Sequence, residues 1–325
     1  MTTRHYPQLD GLRGVAAAAV ALGHAASNLG SPITFQNTAL AVDLFFMLSG
    51  FVLVNAYGED VRIDGRFARY IKARFVRLYP LVILGTGLGI FSAIAQHGIR
   101  GVTVNSAFLS VALIPLIGPV SFPFNPPLWS LSFEMAASVL FGLGLWNTKN
   151  IKLLSVVSIG FGALLIAGIF HRGSIDAGWS VSSMHYGAIR TIFGFTVGVL
   201  LYRVHLDRPS RAHTPYLFLA TLLTMILVSP ESLFLQAFSI LIMFPIMIFL
   251  ATSANSLGSR LTKWSGMLSY PIYAIHYPII ILLKSSLPKP YGLMIFAPVT
   301  LIISYMLLRL YDEPVRGALK AWAKR

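Results

Sequence analysis

Apolar residues in this chain fall in runs of about 17–25, the length a helix needs to cross the hydrocarbon core of a bilayer. No other feature restricts the fold so strongly. A backbone in lipid must satisfy its own polar groups, and only helices and closed barrels do so. Runs of this length are helical, and they place spans near 11–29, 38–57, 80–97, 127–146, 151–170, 186–204, 215–230, 233–252, 268–286 and 291–311. Only 11% of the 325 residues are charged, against about 25% in a soluble domain, and mean hydropathy is +0.73. The expected fold is an all-α polytopic membrane protein, a bundle of about ten transmembrane helices in a single integral-membrane domain over 1–325.

An even number of spans puts both termini on one side, and the basic residues say which. Twenty of the 25 Lys and Arg fall in the N-terminus, in 58–79, 147–152, 203–214 and 254–265, and in the tail from Arg309. Arg100, Arg172, Lys284 and Lys289 fall between the other spans, and Arg190 falls within one. Cytoplasmic loops collect Lys and Arg, so both termini are expected in the cytoplasm. The net charge of +14 thus reports topology, and no nucleic-acid partner is needed to explain it. With no cysteine in the chain, disulfides, a thiol nucleophile and thiolate metal sites are excluded.

Three segments need separate treatment. Arg4 and Arg13 ahead of an Ala/Val core and "GHAAS" have the outline of a cleavable signal. Asp10 in the basic region and nine further spans favour a retained first helix. The stretch 99–126 is apolar but interrupted by Pro115, Pro119 and Pro123. Proline removes backbone donors, so an outer-face segment, interfacial or re-entrant, is expected there. In 58–79, Arg66, Arg69, Arg74 and Arg77 fall at helical spacings, with Phe67, Tyr70, Ile71, Phe75 and Leu78 on another side. That pattern reads as an amphipathic helix lying on the inner surface: a headgroup anchor, or a cradle in which guanidinium groups grip a polyanion.

Ionisable groups inside spans are rare and default to function. "LDGLRGVAAAAVALGH", residues 9–24, carries Asp10, Arg13 and His24. Eleven residues at about 100° each bring His24 back to the face of Arg13, about 16 Å along the axis. "AVDLFFMLSGFVL" buries Asp43 near Ser49 and Gly50, and "NPPLWSLSFEMAAS" places Ser130 and Glu134 on one helix face. Buried carboxylates need partners, and His24 and Arg13 are the expected ones. "GMLSYPIYAIHYP" sets Ser269, Tyr273 and His276 at i, i+4 and i+7, a further polar stripe unless the tyrosines are interfacial anchors. Gly85, Gly87 and Gly89 either open an acyl-facing groove or let helices pack closely, the latter being favoured.

In order along the chain, these stretches together with "RFVRLYP", "PLWSLSFE", "SYPIYAIH" and "YDEPVR" resemble the membrane-bound acyltransferase 3 family. Its members acylate bacterial cell-surface polysaccharides, lipid-linked sugars and similar acceptors from cytoplasmic acyl-CoA. The resemblance implies that Arg13 and His24 are the Arg-x10-His motif, and that Asp43, Phe45, Phe46, Ser49, Gly50 and Phe51 form the second motif. It places Arg74 and Arg77 in Arg-x-x-Arg, and Trp129, Ser130, Leu131 and Glu134 in Trp-Ser-Leu-x-x-Glu.

Residues and resemblance meet on one mechanism. Arg74 and Arg77, helped by Arg13, would grip the phosphates of acyl-CoA, acetyl-CoA being the expected donor. Asp10, Ser49, Ser130 and Trp129 are expected at the substrate. His24 would act as general base near neutral pH, with Glu134 or Asp43 holding its tautomer. An acyl-enzyme on His24 or Ser49 is the other chemistry. The acceptor is expected to be a saccharide or lipid-linked saccharide, with the 99–126 segment on its side, no metal, and membrane lipids around the bundle in a bacterial inner membrane. Buried acids, arginines and a histidine also describe a proton-coupled transporter or flippase. A basic cradle on the inner face argues for acyl transfer.

Overall fold

The structure, a computed structural model, describes residues 4–58, 66–99, 102–146, 148–207, 215–252, 259–284 and 291–322. Regular secondary structure among these residues is helical throughout. The first helices are α1 (Pro7–Asn28), α2 (Leu40–Tyr57), α3 (Arg66–His97) and the short α4 (Val104–Val111). They are followed by α5 (Leu128–Gly142), α6 (Ile151–Arg172), α7 (Met184–Asp207) and α8 (Tyr216–Val228). Next come α9 (Leu233–Phe238) and α10 (Phe244–Ala251), joined by a π-helical turn, and α11 (Ser259–Lys284). Finally α12 (Gly292–Leu307) runs through a second π turn into α13 (Glu313–Trp322).

Each of the ten expected segments holds a helix. Seven are long and apolar enough to cross a membrane on length and composition: α2, α3, α6, α7, α9–α10, α11 and α12–α13. The helices α5 and α8 are apolar but shorter. Relative directions follow the expected alternation. Gly11 meets Thr262, Gly14 meets Ser265 and His24 meets His276, so α1 and α11 run parallel. Leu78 meets Tyr270 and Gln96 meets Ile281, so α3 joins them in the same sense.

Small residues set how close these helices come. A side chain at Gly14 would strike Ser265, and one at Gly266 would strike Asp10. Between α2 and α7, Gly50 lies against the Phe195 carbonyl and Gly198 against the Met47 carbonyl. Apolar lipid gives helices no hydrophobic reason to associate, so such backbone-to-backbone packing supplies the contact. Gly85 abuts Ala274 and Gly89 abuts Phe124, whereas Gly87 faces open space. Two of the three glycines therefore serve packing.

One expectation is corrected. The basic half of 58–79 is not a separate surface helix. It is the start of α3, which continues through Pro80 for 32 residues. Two hydroxyls from distant helices tie α3 down on either side of the proline. Tyr270 of α11 donates to the Leu78 carbonyl, and Tyr311 donates to the Pro80 carbonyl over 3.2 Å. Residues 59–65, 208–214 and 254–258, with Arg100 and Lys289, lie outside the described residues.

The proline-rich stretch forms no span. After α4, capped by Thr103 and Ser106, the chain folds back irregularly and buries Phe122 and Asn125 beside α3 and α11. Pro278 lacks the N–H that would ordinarily reach the Ala274 carbonyl. The Asn125 side-chain amide donates to that carbonyl instead, over 2.8 Å. Replacing Asn125 with Leu should leave a buried carbonyl unpaired and destabilise the fold by about 1–3 kcal/mol. Thermal unfolding in detergent measures this, and adding Pro278→Ala should recover part of the loss. Independent effects of the two changes would show that this bond does not hold the segment.

Candidate functional site

The polar residues of the core assemble at two levels along the parallel α1–α11 pair. At the upper level, His24 of α1 and His276 of α11 face each other with near-parallel rings, 7° apart. His24 Nδ1 lies 2.9 Å from His276 Nε2. The proton positions follow by elimination. His276 Nδ1 faces the carbonyl oxygens of Tyr273 at 2.8 Å and Ile272 at 3.1 Å. Carbonyls only accept, so Nδ1 carries the hydrogen and Nε2 of the neutral ring is a lone pair. His24 Nδ1 must then donate to it. The neutral His24 ring is left with its free lone pair on Nε2. Tyr277 packs edge-on against His24, and Asp176, exposed on the turn before α7, lies within electrostatic range.

At the lower level, a cavity of about 50 Å³ is lined by Arg13 of α1, Arg77 of α3, Ser130 and Glu134 of α5, and Tyr270 and Tyr273 of α11. Glu134 does not pair with His24. Its carboxylate accepts from Arg74 over 2.6 Å and from the Ser49 hydroxyl over 3.0 Å. Arg74 and Arg77, one turn apart in sequence, thus have different surroundings. Arg74 is buried and bound to Glu134, whereas Arg77 presents its guanidinium to the open space of the cavity. Neither Arg77 nor Arg13 has a hydrogen-bond or ion-pair partner among the described residues. The two free guanidinium groups, beside a third that is neutralised, make this part of the cavity strongly positive.

Ser130 and Tyr273 share a 2.6 Å hydrogen bond on the cavity wall. The Tyr273 ring also touches His276, with centroids 5.8 Å apart. The cavity therefore reaches to within one turn of α11 from the histidine pair. Phe45 and Phe46 of α2 add apolar lining.

Asp43 belongs to neither level. The expected link to His24 or Arg13 is replaced by Arg190 of α7, whose Nε and Nη2 donate to the two carboxylate oxygens over 3.0 and 2.8 Å. Both side chains are buried, 0% and 1% exposed. Arg190 also donates to the carbonyls of Ala39 and Ala177, and sits 5.3 Å above the Trp129 ring. Trp129 in turn supports Gly178, whose φ of +116° and contact with that ring leave no room for a side chain. Asp43, Arg190 and Trp129 thus hold the 173–180 turn in place rather than lining the cavity. Asp10 likewise stands apart, paired with His5 at 2.8 Å near the start of α1.

Sequence reasoning set Arg190 aside as an isolated charge within a span and left His276 as one member of a polar stripe. Each becomes meaningful only through a partner more than 100 residues away.

Comparison with known proteins gives the following. The profile of a family described as "Acyltransferase domain" matches residues 6–309. The peptidoglycan O-acetyltransferase OatA of Listeria monocytogenes is 26% identical over 96% of this chain and 56% of its own length. YrhL of Bacillus subtilis is 26% identical over 96% of this chain and 55% of its own. The chain therefore spans little more than half the length of these relatives. The exopolysaccharide production protein ExoZ of Rhizobium meliloti is 33% identical over 45% of this chain and 46% of its own. No solved structure matches at a significant level.

The Asp43–Arg190 geometry predicts a stability role that a cavity residue would not have. Asp43→Ala strands a buried guanidinium and should cost about 3–5 kcal/mol, seen as a sharp fall in unfolding temperature and in yield of folded protein. Changing both together, Asp43→Leu with Arg190→Met, should be far milder than the sum. A fully folded Asp43→Ala protein of unchanged melting temperature would contradict the assignment.

Proposed function

The chain belongs to this acyltransferase family, and from that membership we propose that it takes an acetyl group from cytoplasmic acetyl-CoA and transfers it to a hydroxyl of a cell-surface or lipid-linked saccharide. The observation that carries the reading is the pairing of a basic nitrogen with an unneutralised basic cavity. His24 Nε2 holds a free lone pair, and one level below Arg13 and Arg77 line the cavity with no acid hydrogen-bonded to them among the described residues. The saccharide acceptor is supported by relatives named for peptidoglycan O-acetylation and exopolysaccharide production.

In this reading the grip on the donor moves from Arg74 and Arg77 to Arg13 and Arg77, because Glu134, itself held by the Ser49 hydroxyl, already occupies Arg74. Guanidinium groups match phosphate oxygens in charge and geometry. The thin pantetheine arm would rise along α1 past Phe45, Ser130 and Tyr273. It would bring the thioester to His24, about 16 Å beyond Arg13 by helical rise. The acceptor hydroxyl gives its proton to His24 Nε2 as its oxygen bonds to the thioester carbonyl carbon. The carbon–sulfur bond then breaks, and the leaving CoA thiolate recovers the proton from Nε2. Imidazole suits both transfers near neutral pH. Glu134 sets the electrostatics of the donor end, and Asp43 acts through the fold. The bundle crosses a bacterial inner membrane about ten times with both termini in the cytoplasm, which places Arg13 and Arg77 towards the CoA pool. The 173–180 turn and the 102–127 segment then lie towards the acceptor.

The test is acetyl-CoA consumption by purified protein in lipid nanodiscs, with a bacterial envelope-glycan extract as acceptor. Wild type should release CoA and label glycan. His24→Ala should lose transfer while still binding acetyl-CoA by calorimetry. Arg77→Ala and Arg13→Ala should each weaken that binding roughly 10- to 100-fold, the worth of a charge-assisted hydrogen bond of about 1.5–3 kcal/mol. An Arg74→Ala effect larger than that of Arg77→Ala would return the grip to Arg74. No acetyl-CoA binding by wild type would overturn the acyl-transfer reading and favour proton-coupled transport.

A further inference from the structure

We propose that His276 is a positioning residue: a neutral imidazole that holds His24 in the tautomer whose Nε2 is free to accept a proton. The inference rests on the reading of His24 as base, and it identifies what makes His24 competent. The ring of a neutral histidine prefers the hydrogen on Nε2. In that form His24 would present a donor to the acceptor hydroxyl and could not take its proton. The structure removes the choice. His276 is fully buried, and its Nδ1–H is committed to the carbonyls of Tyr273 and Ile272 at 2.8 and 3.1 Å. Only a lone pair then remains at Nε2, and it meets His24 Nδ1 at 2.9 Å. The hydrogen of His24 is thereby drawn to Nδ1.

Orienting groups of this kind are usually carboxylates, but no carboxylate hydrogen-bonds either ring among the described residues. A neutral partner suits the location. A buried carboxylate would need its own compensation, and both buried acids of the core are committed to Arg74 and Arg190. The groups facing the pair are Tyr273 and Tyr277 of α11 and, from the turn before α7, Asp176. The arrangement also fixes which ring works. Protonating His276 at Nε2 would set two N–H groups against each other across 2.9 Å, so the added proton in the reaction resides on His24.

Three proteins test this: wild type, His276→Phe, which keeps a ring without an acceptor, and His276→Gln, whose side-chain carbonyl can accept from His24 Nδ1–H. Nitrogen NMR of histidine-labelled protein, with His24 assigned by loss of its signal in His24→Gln, reads the tautomer directly. Wild type and His276→Gln should show His24 protonated at Nδ1, and His276→Phe should shift it to Nε2. In the acetyl-CoA assay, His276→Phe should lower kcat about 100-fold, within the range of general-base contributions, with KM for acetyl-CoA changed less than about twofold. His276→Gln should recover at least about tenfold of that loss. A wild-type His24 protonated at Nε2, or full kcat in His276→Phe, overturns the proposal. A wild type that never turns over acetyl-CoA, while its His24 tautomer follows residue 276 as stated, upholds the positioning role and overturns the acyl-transfer reading instead.

Discussion

A charge enclosed in an apolar bundle must find its counter-charge within the protein, because desolvation without pairing costs several kcal/mol per ion. Around the core that rule leaves a definite remainder. Asp43 is taken by Arg190 and Glu134 by Arg74, each through hydrogen bonds of 3.0 Å or less. Both acids of the middle of the bundle are then used, and Arg13 and Arg77 still face the cavity. Their charge is tolerable because the cavity is open enough to hold water or a ligand. An anion entering it meets guanidinium groups that need not first break a bond to an acid. Binding there avoids the cost that would attend a grip by Arg74.

The two ion pairs differ in what else they hold. Glu134 reaches Ser49 of α2 as well as Arg74 of α3, so it joins three helices beside the cavity and sets its width. Arg190 reaches two backbone carbonyls on different segments and lies over Trp129. Four of its five N–H groups are engaged in this way and the side chain is buried. A buried pair that is satisfied in this way supplies little net stability, but it fixes the relative positions of α2, α5, α7 and the 173–180 turn. That turn carries Asp176 towards His24, so an interaction remote from the cavity still shapes its upper boundary.

Much of the fold could be read from the sequence because the bilayer imposes its thickness on every span. Lengths of apolar runs located the helices, and the interrupted run at 99–126 was correctly left out. Errors arose where the partner was distant. Arg74 and Arg77 look alike in "RFVRLYP", one turn apart on one helix; only Glu134, 60 residues on, makes one of them unavailable. Pro80 reads as a helix start, yet α3 begins at Arg66 and continues through it, held there against Tyr270 and Tyr311. His24 was conspicuous as a titratable ring in an Ala/Val helix, but the ring it hydrogen-bonds is 252 residues away. Asp43 and Glu134 were natural candidates for that position because sequence alone does not say that each is already paired.

The composition of α1 makes sense once these positions are known. It is absent from the helices that qualify as spans by hydropathy, because Gly, Ala, Arg and His take the places where lipid-facing helices carry Leu, Ile and Phe. It packs mainly against other helices, α11 above all. Gly14 lies against Ser265 and Gly23 against Thr38, close approaches that a large side chain would prevent. A helix so enclosed is a rigid spacer. The distance from Arg13 to His24 is set by eleven residues of rise, about 16 Å. α11 runs parallel at close contact and places Tyr273 and His276 in register with it. The separation between Arg13 and His24 is therefore fixed by backbone geometry.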